Sequence, residues 1–423
     1  MVIASDGLFL VGKKFGRRLN LCHRFGVGGI VFRAPTESPP MVASLVAAVA
    51  LVIWIYLVAG RGGFWCAGER DGGGPSPLAW PGVIAVIPAR DEAGGVGHTV
   101  GSLLRQDYPG SFSIVLVDDE STDGTADAAR LAAAATGRSD RLTTIPGAAL
   151  PGGWTGKLWA MKQGVERAST AKPEFLLLTD ADIVYAPDAL SRLVSQSLSE
   201  GLVLSSLMAK LRCESPAERA LIPAFIFFFQ MLYPFSWVSD RRRMTAAAAG
   251  GCMLVRREAL RAAGGVEAIR GSLIDDCAMA RLLKKQGPIR LSLSERVISI
   301  RPYSTMDEIR RMVVRSAYAQ LRYSPLLLAV ALAGLAFVFV VPVLAALFDH
   351  DAAQIFGILA WVIMAVAFQP TLRFYGLSPL WGPILPVIAL VYMDFTLESA
   401  YQSLRGRGGL WKGRVQARAT EGP

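Results

Sequence analysis

The chain has 423 residues, 52% of them hydrophobic and 18% charged, with a net charge of +10. Five scattered cysteines (22, 66, 213, 252, 277) and three dispersed histidines (23, 98, 350) exclude a disulfide framework, a zinc site and a histidine metal cluster. The basic residues lie mainly beside uncharged segments and in the two tails. They therefore read as facing anionic lipid headgroups, at roughly 1 kcal/mol each near the surface, rather than nucleic acid.

Residues 1–40 are basic (Lys13, Lys14, Arg17, Arg18, Arg24, Arg33) and lack a clear pattern. They read either as a cytoplasmic arm or as sequence upstream of a true start at Met41. The second reading is preferred, because an anchor starting at Met41 needs no leader. A cleaved signal peptide does not fit, since the following apolar run is too long and no small-residue cleavage pattern flanks it. Residues 41–60 carry no charge and match the ~20 residues a helix needs to cross a bilayer. The Gly- and Pro-rich stretch 61–82 reads as a linker.

Strand and helix signals then alternate. Strands are expected at 83–88, 114–117, 175–178 and 202–208, and helices at 98–106, 125–135, 158–168 and 187–198. This order predicts an α/β domain over 83–303, with a mainly parallel sheet covered on both faces. Such a sheet binds ligands at the carboxyl ends of its strands. Residues 220–239 are uncharged but contain Pro223 and Pro234. A crossing there would separate the acids described below onto opposite sides of the membrane, so the segment is expected to lie along the interface beside Arg241, Arg242 and Arg243. The alternative is a buried helix of the soluble domain. Residues 304–324 read as an amphipathic helix opened by a Thr305/Glu308 capping box, with Arg311, Arg315 and Arg322 on one face. Those arginines are read as meeting phosphate or as forming a solvated face.

Residues 325–348, 352–370 and 374–393 are again uncharged, within a membrane region placed at 325–396 and followed by a basic tail at 397–423. The positive-inside rule puts Arg61, Arg70 and Arg373 inside, and Asp349 and Asp351 outside. A third crossing by 374–393 would leave Arg405, Arg407, Lys412, Arg414 and Arg418 outside. Gly376, Pro379, Gly382, Pro383 and Pro386 also make that segment a poor straight helix, so it is expected to be re-entrant or interfacial.

The acids gather where the predicted strands end. Ile87-Pro88-Ala89-Arg90-Asp91-Glu92 closes the first, and Asp118-Asp119-Glu120-Ser121-Thr122-Asp123 the second. Carboxylates there can accept hydrogen bonds from a base or a ribose. Asp119 and Asp123 can equally cap the next helix, whereas Asp118 sits too early for that. Asp180 and Asp182 follow the strand at 175–178. Two carboxylates on one side of an extended segment suit a hard divalent cation, Mg²⁺ or Mn²⁺, which would neutralise a departing nucleoside diphosphate. Lys157 reads as a phosphate contact at a helix start or as an ordinary first-turn lysine. Asp275 and Asp276 open a helix, where the dipole favours them; the functional reading is a general base toward an acceptor hydroxyl.

This order of residues resembles the family 2 glycosyltransferases with the nucleotide-diphospho-sugar transferase (GT-A) fold, over roughly 86–323. The resemblance implies nucleoside contacts at Asp118 and Asp119, with Glu92 matching the acid after the first strand. It also implies a cation at Asp180 and Asp182, and the base at Asp276, with Asp275 next. Pro88, Asp123, Lys157 and Arg322 complete the candidate set around the donor. Pro151-Gly152-Gly153-Trp154-Thr155-Gly156-Lys157, the stretch 315–323 and Trp411-Lys412-Gly413-Arg414 look more closely like the hopene-associated glycosyltransferases of bacterial hopanoid gene sets. Gln320-Leu321-Arg322-Tyr323 departs from the Gln-x-x-Arg-Trp motif of processive members, which suits a single transfer. The expected protein is a multi-pass enzyme of the bacterial inner membrane with its catalytic domain in the cytoplasm. It would take a sugar from a nucleotide-sugar, a UDP-sugar first, to a lipid such as a hopanoid. A polyprenyl phosphate or another glycolipid precursor is the second acceptor class. A catalytically silent relative that binds nucleotide-sugar or lipid is the other function class, and the complete set of acids favours the enzyme.

Overall fold

The computed structural model describes residues 39–406, 409–411 and 414–415. The basic stretch before Pro39, and Arg407, Lys412 and Arg418 of the tail, lie outside the described residues.

A single mixed sheet organises the centre of the chain. Its strands are β1 (Val83–Ala89), β2 (Phe112–Asp118), β3 (Leu142–Pro146), β4 (Phe175–Thr179), β5 (Ile183–Tyr185), β6 (Leu204–Lys210), β7 (Cys252–Arg256) and β8 (Ile289–Ser299), in the order β3-β2-β1-β4-β7-β6-β8-β5. β3, β2, β1 and β4 run parallel, as do β6 and β8, whereas β7 is antiparallel to both neighbours. Reversal of β7 puts its amino end beside the carboxyl ends of β4 and β6. One edge of the sheet thus collects loops from all of them.

β1 is buried along its whole length, so it reads as a continuous apolar run rather than an alternating one. Alternation still decides which face each side chain serves. Ile84 and Val86 join Leu176, Leu178, Leu158 and Met161 on one face; Val83, Ala85 and Ile87 join Val96, Val100, Leu103 and Leu190 on the other. Helices α2 (Ala93–Leu104), α3 (Thr125–Ala135) and α5 (Ala189–Ser199) cover the second face, and α4 (Gly156–Ser169) covers the first. Gly164 lets α4 sit close to the sheet, because a Cβ there would lie 2.4 Å from Val86 Cγ1.

The stretch 61–82 does not hang free. Asp71 N donates to Leu293 O and Leu293 N to Glu69 O, both at 2.8 Å, which ties it to β8. Phe64 is buried against Phe227, with ring centroids 5.3 Å apart. Its glycines reflect close approach as well as turning: a Cβ on Gly74 would lie 2.4 Å from Ser195 O.

The uncharged segment 220–239 falls in α6 (Pro216–Leu232) and α7 (Phe235–Ser239). Pro223 is carried inside α6, while Pro234 stands between the two helices. α6 lies between the sheet domain and the carboxyl-terminal helices. Phe227 packs on Phe368 and Phe228 on Tyr392, at 5.2 Å in each case. Its start is held by a capping box in which buried Glu218 accepts from Ser215 N, Glu214 N and Tyr303 N, each at 2.8 Å. Burial works against the Glu218 charge, but these three donors and Arg212 outweigh it and hold the carboxyl below its usual range. Glu218→Ala is expected to lower stability by roughly 1–3 kcal/mol, because buried N–H groups lose their acceptor. The contribution exists above the ordinary carboxylate pKa and is lost as pH falls through the lower folded value. Thermal melts of wild type and variant from pH 7 down to pH 3 would converge at the acid end; melts that stay parallel would reject this account.

α8 (Arg257–Ala262) and α9 (Asp275–Lys284) follow β7. The helix expected at 304–324 is broken into α10 (Met306–Val314) and α11 (Ala317–Gln320), because α11 docks on the helix Leu385–Leu404: Tyr318 N donates to Ser399 Oγ at 3.0 Å. Arg322 and Tyr323 then adopt left-handed backbone (φ 53° and 55°) and are exposed, so Arg322 leaves the face shared by Arg311 and Arg315.

Among the described residues four helices are long and apolar enough to cross a membrane: Met41–Gly60, Pro325–Phe348, Asp351–Phe374 and Pro379–Leu404. The first is within α1 (Pro39–Gly60). The second consists of α12 (Pro325–Leu335), a π-turn (Ala336–Val340) and α13 (Val341–Phe348); the third is α14 (Asp351–Phe374). The fourth shows that the glycines and prolines of 374–393 do not prevent a long helix. Pro383 and Pro386 fall in a 3₁₀ entry (Pro379–Ile384) and in the first turn of α15 (Leu385–Leu404), where a missing N–H costs little, and the helix runs on to Leu404. Glu398 near its end pairs with Arg310 of α10.

Candidate active site

Local sequence explains how the edge of the sheet is furnished. Near the end of β1 Pro88, and just past it Glu92, reach the wall of a large cavity. After β2, Asp118 Oδ1 accepts from Ser121 N at 3.1 Å. Asp119 is fully buried, with Arg90 Nη1 donating to its carbonyl at 2.5 Å and lying 3.7 Å from its carboxylate. Asp123 joins two loops: Oδ1 accepts from Thr125 N at 3.0 Å and Oδ2 from Ala93 N at 2.9 Å. These bonds, with one from the Thr125 hydroxyl, outweigh burial and hold its carboxyl below the ordinary value. Asp118, Asp119 and Asp123 therefore form a group at the end of β2, beside the cavity wall rather than in it.

Asp180 and Asp182 flank the turn between β4 and β5, and each meets a different cation. Lys157 Nζ lies 2.8 Å from Asp180 Oδ1 and 3.1 Å from Asp275 Oδ2. Arg301 Nε lies 2.7 Å from Asp182 Oδ2, and its Nη2 lies 2.6 Å from Glu92 Oε1. Lys157 is aimed by the glycine-rich motif before it. Gly153 turns with φ 81°, Thr155 N donates to Arg270 O at 3.0 Å, and the Thr155 hydroxyl caps α4 at Leu158 N. Lys157 is then the second residue of the helix. Enclosure raises the Asp180 carboxyl; Lys157 opposes this and Asp182 adds to it, leaving a net rise.

Asp275 and Asp276 occupy the first turn of α9. They differ in their partners. Asp275 is paired with Lys157, whereas Asp276 accepts backbone N–H groups, from Cys277 at 2.6 Å and Gly250 at 3.1 Å. Burial, then the neighbouring Asp275 charge, pushes the Asp276 carboxyl up to about 6 against Lys157 and these hydrogen bonds. A carboxylate without a salt-bridge partner and with a raised pKa is the better proton acceptor of the two.

The cavity, about 1270 Å³, starts at these acids and continues between the membrane-length helices. Its polar end is lined by Pro88, Glu92, Lys157, Asp180, Asp182, Asp275 and Asp276. Arg301, Tyr303, Arg311, Arg315 and Gln320 stand along it, and Gln320 donates to the Tyr233 hydroxyl. Beyond Phe228 and Phe229 the lining is Ile53 and Leu57 of α1, Val330, Gly334 and Leu335 of α12, and Ala389 and Tyr392 of α15. The sequence reading missed Arg301 because 289–299 was not read as a strand, although Ile289, Leu291 and Leu293 alternate; an arginine just past that strand's end was the available signal. Arg322 does not line the cavity.

The family model described as glycosyltransferase like family 2 matches residues 81–319, more than half of the chain. The chain belongs to that family. The strand-end acids and the cavity all lie within, or open onto, the family 2 domain. A 4,4'-diaponeurosporenoate glycosyltransferase of Staphylococcus aureus (strain bovine RF122 / ET3-1) is 33% identical over 117 residues, which is 27% of this chain and 28% of that relative. The chain thus matches little more than a quarter of that relative's length. Among solved structures, a mannosyltransferase from Pyrobaculum calidifontis, in complex with GDP-Man and Mn²⁺, superposes with a TM-score of 0.50 at 18% identity, covering 86% of this chain and 99% of that one. That likeness is one of fold, the GT-A-like arrangement of this family 2 domain.

The donor set suits a divalent cation. Asp180 and Asp182 offer hard carboxylate oxygens, and of the five carboxylates here (Glu92, Asp180, Asp182, Asp275, Asp276) four pair with Lys157 or Arg301, while Arg311 and Arg315 also line the cavity. No group of three His, Cys, Asp or Glu side chains that could hold a metal occurs among the described residues. Two protein carboxylates would therefore need diphosphate oxygens to complete the shell.

Proposed function

We propose that this protein is an inverting glycosyltransferase that moves a sugar from a nucleotide-sugar to a hydroxyl of a membrane lipid. The observation that carries the reading is the single cavity joining the carboxylate cluster to an apolar space between membrane-length helices. Asp276 takes the proton of the acceptor hydroxyl as it attacks the anomeric carbon from the face opposite the leaving group. Asp180 and Asp182 hold Mg²⁺ or Mn²⁺, which would neutralise the departing diphosphate. The amino end of α4 adds its dipole there. Asp118, Asp119 and Asp123, with Pro88 and Glu92, serve the nucleoside side, with a UDP-sugar as the first donor to try. Arg315, which lines the cavity, takes the place in this scheme expected for Arg322.

The relative named for diaponeurosporenoate supports a lipid-like acceptor. A hopanoid rests on the resemblance of 151–157, 315–323 and 411–414. The second acceptor class, a polyprenyl phosphate, is favoured by Arg311 and Arg315 on the cavity wall. A donor screen with Mn²⁺ against fractionated membrane lipids, read by mass spectrometry, separates these. A hexose added to a neutral lipid supports the first class, and one added to a phosphate-bearing lipid the second. Nucleotide that binds but is released from no donor would leave a silent binding protein.

Two expected results follow from the assignment. EDTA abolishes transfer and Mn²⁺ or Mg²⁺ restores it; full activity in EDTA would remove the cation role of Asp180 and Asp182. A catalytic domain facing the cytoplasm of a bacterial inner membrane leaves a cysteine introduced near Asp180 unlabelled by an impermeant reagent in intact cells. Labelling there would reverse the orientation.

A further inference from the structure

We infer that Lys157 is an internal cation that occupies the divalent metal's place at Asp180 until a nucleotide diphosphate arrives, so that metal and nucleotide bind as a pair. The inference rests on the reading of Asp180 and Asp182 as the cation's ligands. The lysine is anchored at a fixed point, the second residue of α4, by the Thr155 cap and the Thr155–Arg270 backbone bond. From there its ammonium bridges two elements that share no other salt bridge: the turn after β4 through Asp180, and the start of α9 through Asp275.

Every charged group facing it is negative. Asp180 comes from the β4–β5 turn and Asp275 and Asp276 from α9, while Gly250 presents only backbone, with a Cβ position 3.3 Å from Nζ. Asp182 and Glu92 are already engaged by Arg301. A divalent cation arriving alone must therefore share Asp180 with an ammonium, and like charges at that range repel strongly. It also finds too few protein ligands, since no three-residue metal group stands here among the described residues. A nucleotide diphosphate changes both conditions. It supplies the missing oxygens, and it offers Lys157 an anion to turn toward, at a helix amino end suited to phosphate. Asp275 keeps the lysine close throughout, so the exchange needs only a side-chain swing.

The test is Mn²⁺ binding to the full-length protein in detergent, read by the electron paramagnetic resonance signal of free Mn²⁺, with and without UDP or GDP. Wild type is expected to bind Mn²⁺ weakly alone and at least 10-fold more tightly with one of the nucleotides. Lys157→Met and Lys157→Gln should bind Mn²⁺ alone at least 10-fold more tightly than wild type, and the gain from nucleotide should shrink. Lys157→Arg, which keeps the charge, should stay near wild type. Lys162→Met, which removes a lysine of the same helix paired with Glu166, should do so too. Two neutral variants, checked by thermal melts, guard against a single folding failure. Neutral variants that bind Mn²⁺ no better than wild type would overturn the inference, as would a wild type whose Mn²⁺ affinity ignores nucleotide. Absence of Mn²⁺ binding under every condition, EDTA-insensitive activity included, would instead remove the cation reading beneath it.

Discussion

Asp276→Asn is expected to bind nucleotide as wild type does and to lose transfer by about 10²- to 10⁴-fold, the usual contribution of a general base. Cys277 N and Gly250 N bond different carboxylate oxygens, so the amide keeps an acceptor for one of them and the start of α9 gives up a single hydrogen bond. What it loses is the ability to take a proton. The wild-type enzyme should also report this group in its pH profile. With the carboxyl raised to about 6 by burial and by Asp275, the working anion is present above that pH and is lost as pH falls through it. Transfer should therefore drop on the acid side of about pH 6, and kcat measured from pH 5 to 8 reads the limb directly. Near-normal turnover in Asp276→Asn would move the base to Asp275. That group is already tied to Lys157, so Asp275→Asn should disturb Lys157 and nucleotide binding as well.

The second large effect concerns the apolar end of the cavity. Gly334 of α12 lines it, and a Cβ added there would meet nothing within 4 Å. Gly334→Trp can therefore be built without clash at the backbone, and its indole would fill the space assigned to the acceptor's tail. Transfer to a lipid should fall on the order of 10²-fold, the scale of a misplaced reactant, while Kd for nucleotide stays unchanged. A conservative Gly334→Ala should retain most activity. Unchanged transfer in the Trp variant would place the lipid elsewhere. The local geometry suits a ligand: the π-turn Ala336–Val340 lies one step along the same helix, and Trp54 Nε1 of α1 donates to Val338 O at 2.8 Å. A carbonyl loosened by a π-turn needs such a partner where water is absent.

The sequence alone determined the elements whose signals are local. Continuous apolar runs marked β1, β2, β4 and β6, since strands buried on both faces need no polar alternation. Uncharged runs near 20 residues marked the membrane-length helices, and strand-end acids marked the edge where the site lies. Strands β3, β5, β7 and β8 were not determined in this way. Leu142–Pro146 is half-exposed and ends in a proline, Ile183–Tyr185 has three residues, and β7 and β8 owe their places to neighbours contributed by distant parts of the chain.

Only the tertiary structure decided how the charged residues divide among partners. Asp180 and Asp182 stand two residues apart, yet one meets Lys157 and the other Arg301, which lies 119 residues from its partner. Asp275 and Asp276 are identical side chains in adjacent positions. Their difference as bases arises because Lys157 reaches one and two backbone N–H groups reach the other. The break between α10 and α11, which turns Arg322 away, likewise depends on Ser399 from α15. Short-range patterns follow from the periodicity of helices and strands and can be read along a chain. The field at a carboxylate depends on charges brought within a few ångströms by folding, and sequence separation carries no information about that distance.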